Sequence, residues 1–501
     1  MSRIVVLGAG ICGLAAGMVL REDGHDVTVL ERDPEPAPAS VQDAWDYWSR
    51  DGIAQFRLPH FLQPRGRAVL EEMLPDVLPT LEAAGGLRFD PLRALLPVIN
   101  GGTPHDGDER FQTITARRPV LEQVMGRVAE AEPGLEVRRG VSVAELVVRR
   151  YDGVAHVDGV RTDSGRELQA DLVIDAMGRR SQLPRWLARS GAGTVHEEVE
   201  DSGYVYYTRF FRSRDGQMPE FRAAPVTPIG TFSLLTLPSD NDTWSVVVVT
   251  SGGDTPLKRL RDPGLWTALV AACPRHQHWL DGDPITDVVA MGGVTDRYRR
   301  FNPDGRVVAT GVASVGDAWA CTNPTNGRGM SLGLMHVQRL RDVVRAHLED
   351  RLEFAEVWDA VTEAELTPWY RENVDEDRLR MCEIEALRNG RKPDRPSTPS
   401  EVFRQALAIA ATRDPDALRV ALDARACLTS LRDALGNPDL VTRVLELAEQ
   451  CDPPPLAGPN RAQLLELLNR PSKLRDGRAR IRAHGRDMAP YARCEDGRSA
   501  A

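Results

Sequence analysis

Gly8-Ala9-Gly10-Ile11-Cys12-Gly13 stands between a run of β-branched residues and a helical stretch, and this placement restricts the fold more than any other feature of the chain. Ile4-Val5-Val6-Leu7 is apolar without alternation, the pattern of a strand buried on both faces. Leu14 to Asp23 follows as a helix closed by Gly24, and Asp26 to Leu30 reads as a second strand ending at Glu31. Each glycine has a mechanical task in such a βαβ unit. Gly8 permits the tight turn, Gly10 lets a pyrophosphate approach the backbone, and Gly13 lets the helix pack close to the strand. The helix N-terminus then offers free N–H groups and about half a positive charge to the phosphates. Glu31, eighteen residues after Gly13, is placed to accept from ribose hydroxyls, and its carboxylate repels a 2′-phosphate, which argues against NADP here. Arg32 lies at the same strand end and joins Glu31 as a binding candidate. Strand, glycine loop, helix, strand and terminal acid in this order predict a dinucleotide-binding Rossmann unit.

The chain's 501 residues exceed what one hydrophobic core serves, so two or three domains are expected. Lys+Arg 63 against Asp+Glu 73 leaves a net charge of −10, which argues against a dedicated nucleic-acid binder. Seven cysteines without a CxxC pair suggest neither a disulfide framework nor a zinc ribbon. His276 and His278 have no acid or cysteine at ligand spacing, so no metal site is expected. Ile4 to Leu20 is uncharged, but it contains Gly8, Gly10, Gly13 and Gly17, and each glycine costs a helix about 1 kcal/mol relative to alanine. It is shorter than the ~20 residues of a membrane span, and no small-residue cleavage site follows it. A soluble, cytoplasmic protein is the expectation.

Two further motifs follow in order. Asp171-Leu172-Val173-Ile174-Asp175-Ala176-Met177-Gly178-Arg179-Arg180-Ser181 is a strand running into a glycine turn. Arg306 to Val315 reads as another strand, ending in Gly316-Asp317-Ala318, then Pro324, Gly327, Gly329 and a helix from about Met330 to Leu348. The order GxGxxG…E, DAxGxxS, GDA…NPxxGxGM resembles the FAD-dependent monooxygenases of the p-hydroxybenzoate hydroxylase type. Within that superfamily it is similar to the DAxG branch, near squalene epoxidase, styrene monooxygenase and geranylgeranyl reductase. The match covers roughly residues 1 to 370.

The resemblance implies an α/β fold: a glutathione-reductase-type Rossmann FAD domain, an inserted mixed β-sheet substrate domain and a C-terminal helical region. The expected boundaries are 1–195 for the first part of the FAD domain, with a pocket-lining insertion near 44–100, then 196–295 for the β-rich domain. The FAD domain resumes over 296–350, helices occupy 351–470, and 471–501 forms a tail with few large apolar residues. Asp317 is expected to accept from a ribityl hydroxyl. The helix starting near Gly329 and Met330 aims N–H groups at the flavin N1–C2=O edge, with Pro324, Gly327 and Gly329 allowing close approach. By resemblance Arg118, at an Arg-x-x-Leu helix start, contacts the FAD; Arg117 is the alternative, and Arg65 and Arg67 are weaker candidates.

The activity so implied is a monooxygenase that hydroxylates or epoxidises a bulky apolar or aromatic small molecule through a flavin C4a-hydroperoxide. NADH or NADPH supplies electrons, directly or through a separate flavin reductase, and natural-product tailoring is the expected setting. The alternatives are a flavin-dependent reductase or dehydrogenase of the same fold and a non-catalytic FAD-binding accessory protein. Met177 replaces the aspartate that simple aromatic hydroxylases carry in an Ala-Asp-Gly triplet, which puts direct reduction by NAD(P)H in question. The histidine common after GDA is also missing. Halogenases of this superfamily use a lysine early in the chain, whereas the first lysine here is Lys258 and only Trp45-Asp46-Tyr47-Trp48 approaches their tryptophan motif. Halogenation is therefore not expected.

Tyr204 to Phe211, Thr231 to Leu237 and Trp244 to Thr250 alternate as strands. By resemblance they roof the flavin, with Tyr206, Phe210, Phe232 and Leu234 as candidates to face the substrate. His60 lies in the insertion beside Phe61 and reads as a packed loop histidine, so no catalytic side chain is named. Beyond 351, helices are expected over Leu352–Leu366, Thr367–Arg388, Glu401–Thr412, Pro415–Leu435 and Arg461–Asn469. The breaks are Arg391–Ser400 and Cys451-Asp452-Pro453-Pro454-Pro455.

Overall fold

The structure, a computed structural model, describes residues 1–53, 55–99, 101–450 and 457–470. The Cys451–Pro455 break and the tail from Pro471 lie outside the described residues. The elements that position the site are, in chain order, β1 (Arg3–Leu7), α1 (Ile11–Glu22), β2 (Asp26–Glu31), α2 (Arg118–Ala131), β3 (Glu136–Arg139) and β4 (Leu172–Asp175). They continue with β5 (Tyr204–Arg212), β6 (Val226–Ile229), β7 (Phe232–Pro238), β8 (Thr243–Ser251) and β9 (Val289–Gly292). Last come β10 (Val312–Ser314), α3 (Gly329–His347), α4 (Thr367–Arg388) and α5 (Pro415–Arg425).

The nucleotide sheet has five parallel strands in the order β10-β4-β1-β2-β3. β1 lies at its centre because Ile4, Val5, Val6 and Leu7 are each at most 3% exposed, apolar on both faces. Helices α1, α2 and α3 pack together over one face, in a core that includes Leu14, Val124 and Leu340.

The second body is a six-stranded sheet running β6-β7-β8-β5, with Asp283–Pro284 and β9 also pairing β5. All its pairings are antiparallel rather than mixed. One face buries Tyr207, Phe211, Phe232, Leu234 and Trp244 against helix Pro263–Ala271 and helix Arg461–Asn469. The other face looks toward the nucleotide domain.

Two expectations change. The Arg306–Val315 strand contracts to β10, because Gly311 at φ +72° bends the chain ahead of it. The Pro415–Leu435 helix stops at Arg425, where Cys427 takes a left-handed φ of 60° and Ser430 caps a new short helix, Leu431–Leu435. A further helix, Pro438–Glu449, follows Asn437, whose side chain accepts from Leu440 N–H.

Candidate active site

The β1–α1 turn has the geometry that the glycine spacing predicts. Gly8 adopts φ +102°, and a Cβ there would stand 2.7 Å from the Ala176 carbonyl oxygen. Gly13 lies under the turn, where a Cβ would fall 1.9 Å from the Gly8 oxygen, so only glycine lets α1 come this close. A Cβ on Gly10 or on Gly329 would meet nothing within 4 Å. Both glycines line one cavity of about 500 Å³, so the backbone at both ends is bare toward open space. That is what a flavin dinucleotide needs at its pyrophosphate and at its ring, and the residues present fit it.

At the nucleotide end Gly8, Gly10, Glu31 and Arg32 line the cavity. Glu31 is 5% exposed, and its carboxylate accepts from the N–H groups of Ala9 at 2.9 Å and Asp33 at 3.0 Å. Arg50 also reaches it, an ion pair that the sequence did not signal. The guanidinium of Arg50 bonds Glu31, Asp33 at 3.2 Å, Glu122 at 2.9 Å and the Ala9 carbonyl at 2.9 Å. Arg50 comes from an irregular stretch 50 residues into the chain, so no periodicity marks it; only a buried carboxylate cluster reveals its role.

At the far end Arg118, Asp317, Pro324, Gly327, Gly329 and Met330 line the same cavity. Asp317 sits in the turn after β10, and burial raises its carboxyl pKa while Arg118 partly offsets that rise. Gly327 holds φ +63° immediately before α3. Arg118 donates to Glu122 at 2.7 Å and to His60 Nε2 at 3.1 Å. Because an arginine only donates, Nε2 accepts, and the proton sits on Nδ1, which donates to the Leu58 carbonyl at 2.9 Å. Burial, with Arg118 beside it, pushes the His60 pKa down to about 3. His60 is thus neutral, with both ring nitrogens engaged.

Arg117 points the other way. It is 1% exposed and forms a bidentate pair with Asp240, 2.6 Å at the shortest. Arg65 bonds Gln338 and Arg67 bonds Glu71, and neither lines the cavity.

The middle motif is a self-contained turn. Asp175 is fully buried; its carboxylate accepts from Ser181 Oγ, Met177 N–H at 3.1 Å and Ser314 Oγ at 3.3 Å. The acid and serine of the DAxGxxS pattern therefore bond each other and tie β4 to β10, and Met177, not a carboxylate, faces the cavity.

The C-terminal helices hold the loop before α3. Arg425 donates to Asn326 Oδ1 at 3.2 Å, Arg328 donates to the Ala424 carbonyl at 3.1 Å, and Asn326 donates to Asn373 of α4 at 3.1 Å. Gln63 donates to the Asn326 carbonyl at 3.0 Å from the opposite side.

The antiparallel sheet closes the cavity with Tyr206, Thr208, Leu235, Val247 and Met291. Of the four expected candidates only Tyr206 is among them. Phe210 packs edge-on against Trp45, ring centroids 5.1 Å apart, and Phe232 and Leu234 belong to the core on the opposite face. On β7 the expectation was off by one residue, and a shift of one reverses every side chain. His276 and His278 bond Thr227 and the Glu220 carbonyl, and no group of three or more metal-ligating side chains occurs among the described residues.

Residues 6–59 match the NAD(P)-binding Rossmann-like domain family, and residues 117–196 match the tryptophan halogenase family. Protein Rv3254 of Mycobacterium tuberculosis is 31% identical over 363 residues, 68% of this chain and 73% of that protein. Menaquinone reductase of Mycolicibacterium smegmatis is 26% identical over 338 residues, 66% of this chain and 73% of its own. Among solved structures, PqsL of Pseudomonas aeruginosa superposes with a TM-score of 0.57 at 18% identity, covering 77% of this chain and 97% of PqsL. OxyS anhydrotetracycline hydroxylase of Streptomyces rimosus gives a TM-score of 0.53 at 18% identity, covering 85% and 76%. The shared fold is that of FAD-dependent monooxygenases. No helix among the described residues is long and apolar enough to cross a membrane.

Proposed function

We propose that the chain, which belongs to the family of Protein Rv3254 and shares the fold of FAD-dependent monooxygenases, hydroxylates or epoxidises a bulky apolar or aromatic small molecule. The observation that carries this reading is the continuity of one cavity. It runs from Gly10 and Glu31, where a dinucleotide is held, to the uncharged face of the β5–β8 sheet. When bound and reduced, FAD supplies the activation of O₂, and the chain supplies binding, orientation and a dry pocket. Glu31 takes ribose hydroxyls, α1 faces the pyrophosphate, Asp317 takes the ribityl chain, and α3 presents its N-terminus to the ring. No acid–base side chain is asked of the protein, in keeping with a His60 whose two nitrogens are both engaged.

Electrons come from NADH or NADPH. Met177 at the cavity wall supports delivery through a separate flavin reductase, since the acid of the simple hydroxylases is absent. The same residue, with the similarity to a menaquinone reductase, favours as second reading a flavin-dependent reduction that consumes no oxygen. A cytoplasmic site, where nicotinamide donors are available, belongs to the proposal. Likenesses to kynurenine 3-monooxygenase of Salinispora tropica and to the hydroxylase OxyS support the oxygenase reading.

Oxygen uptake separates the two readings. The FAD-loaded protein, supplied with NADH and a general flavin reductase, is expected to couple O₂ consumption to oxidation of a polycyclic aromatic such as 2-naphthol. Substrate reduction under anaerobic conditions, with no oxygenated product in air, overturns the oxygenase reading.

A further inference from the structure

Thr208 lies mid-strand on β5, opposite Val247 of β8, which in turn stands opposite Leu235 of β7. Directly opposed residues of antiparallel strands project to the same side. The three thus form one row across the sheet, and all three line the cavity. In the next row along β5, Tyr206 stands opposite Met291, and its hydroxyl is already bonded to Thr325 Oγ1 at 2.8 Å. Thr208 differs: it is 1% exposed, and its hydroxyl has no hydrogen-bond partner among the described residues. A buried hydroxyl without a partner is costly, and such groups in native proteins call for an explanation.

The charge around the cavity sharpens the point. Its charged lining comes from the β1–β2 end, Arg50, the α2 start, the turn after β4 and Asp317, and the antiparallel sheet contributes no charged side chain. A carboxylate or ammonium pressed against that sheet loses its water and gains no counter-charge. A neutral oxygen gains a bond, because a threonine hydroxyl both donates and accepts.

We propose that Thr208 is a specificity-determining residue that hydrogen-bonds a single hydroxyl or carbonyl group of an uncharged, otherwise apolar substrate. The inference rests on the flavin-and-substrate reading of this cavity and adds the substrate's polar handle. It is tested on the FAD-loaded full chain with 2-naphthol and its near-isostere 2-methylnaphthalene, each titrated while the visible flavin spectrum is followed. The wild type should favour 2-naphthol about tenfold, roughly what one neutral hydrogen bond supplies. Thr208→Val, which keeps the side-chain shape, should bring the ratio close to one with FAD affinity unchanged; Thr208→Ser should keep the preference. An unchanged preference in flavin-loaded Thr208→Val, or no spectral response to either compound, overturns the inference alone. Failure of the wild type to bind FAD overturns the flavin reading and this inference with it.

Discussion

The guanidinium of Arg50 bridges the carboxylates of Glu31 and Glu122, with all three side chains at most 6% exposed. The pair joins β2 to α2 at the point where the ribose of a dinucleotide is expected. Burial alone would lower the Arg50 pKa, but Glu122, Glu31 and Asp33 together raise it, so the charge is held in place. Arg50→Met leaves the buried Glu31 without its ion-pair partner and Glu122 paired with Arg118 alone. Removing one partner of a buried pair costs about 3–5 kcal/mol, so the midpoint of urea unfolding should fall markedly. A wild-type midpoint in Arg50→Met contradicts this.

Asp317→Ala tests the flavin end. A hydrogen bond to a charged group contributes about 1.5–3 kcal/mol, so FAD affinity should drop at least tenfold, as read by flavin fluorescence titration. Wild-type affinity in that variant means that the ring lies elsewhere.

Arg425 acts at a distance, through Asn326. Arg425→Ala frees Asn326 Oδ1 on the loop that precedes α3, and FAD affinity should fall roughly three- to tenfold while far-UV circular dichroism stays the same. Unchanged flavin binding denies the Arg425–Asn326 bond a part in shaping the site.

Acid should loosen the C-terminal helices first. The Arg419 guanidinium, helped by the His105 N–H, holds the Asp108 carboxyl down at about 2. Likewise Arg371 holds Glu198 down at about 2. Folded values below the unfolded ones mean stability that is complete above about pH 4 and lost as pH falls toward 2. Asp108→Asn should therefore flatten the fall in thermal midpoint between about pH 4 and pH 2. A variant as acid-sensitive as the wild type places the effect elsewhere.

Local physics made the nucleotide-binding half legible. The apolar β1, the glycine turn and the acid ending β2 are neighbours in the chain, and each constrains the next, so their placement in the fold followed from spacing alone. The sheet was legible as strands but not as faces. Phe232 and Leu234 alternate as regularly as Ser233 and Leu235, and only the helices packed on one side decide which set is buried in the core. Arg50, Thr208 and Arg425 were invisible for a related reason. Each matters through a residue far away in sequence, Glu122, Leu235 or Asn326, and no window of the chain contains both partners. Arg117 and Arg118 show the limit most plainly. Adjacent and alike in composition, they diverge because α2 begins between their side chains and turns one to Asp240 and the other to the cavity.

The central claim is that the cavity holds a flavin that can be reduced. Its most direct test is the visible spectrum of the purified protein after equilibration with FAD and removal of free flavin, recorded anaerobically before and after addition of NADH, then a flavin reductase. A bound flavin spectrum that bleaches, with NADH alone or once the reductase is present, is the predicted result. A protein that retains no flavin would contradict the account.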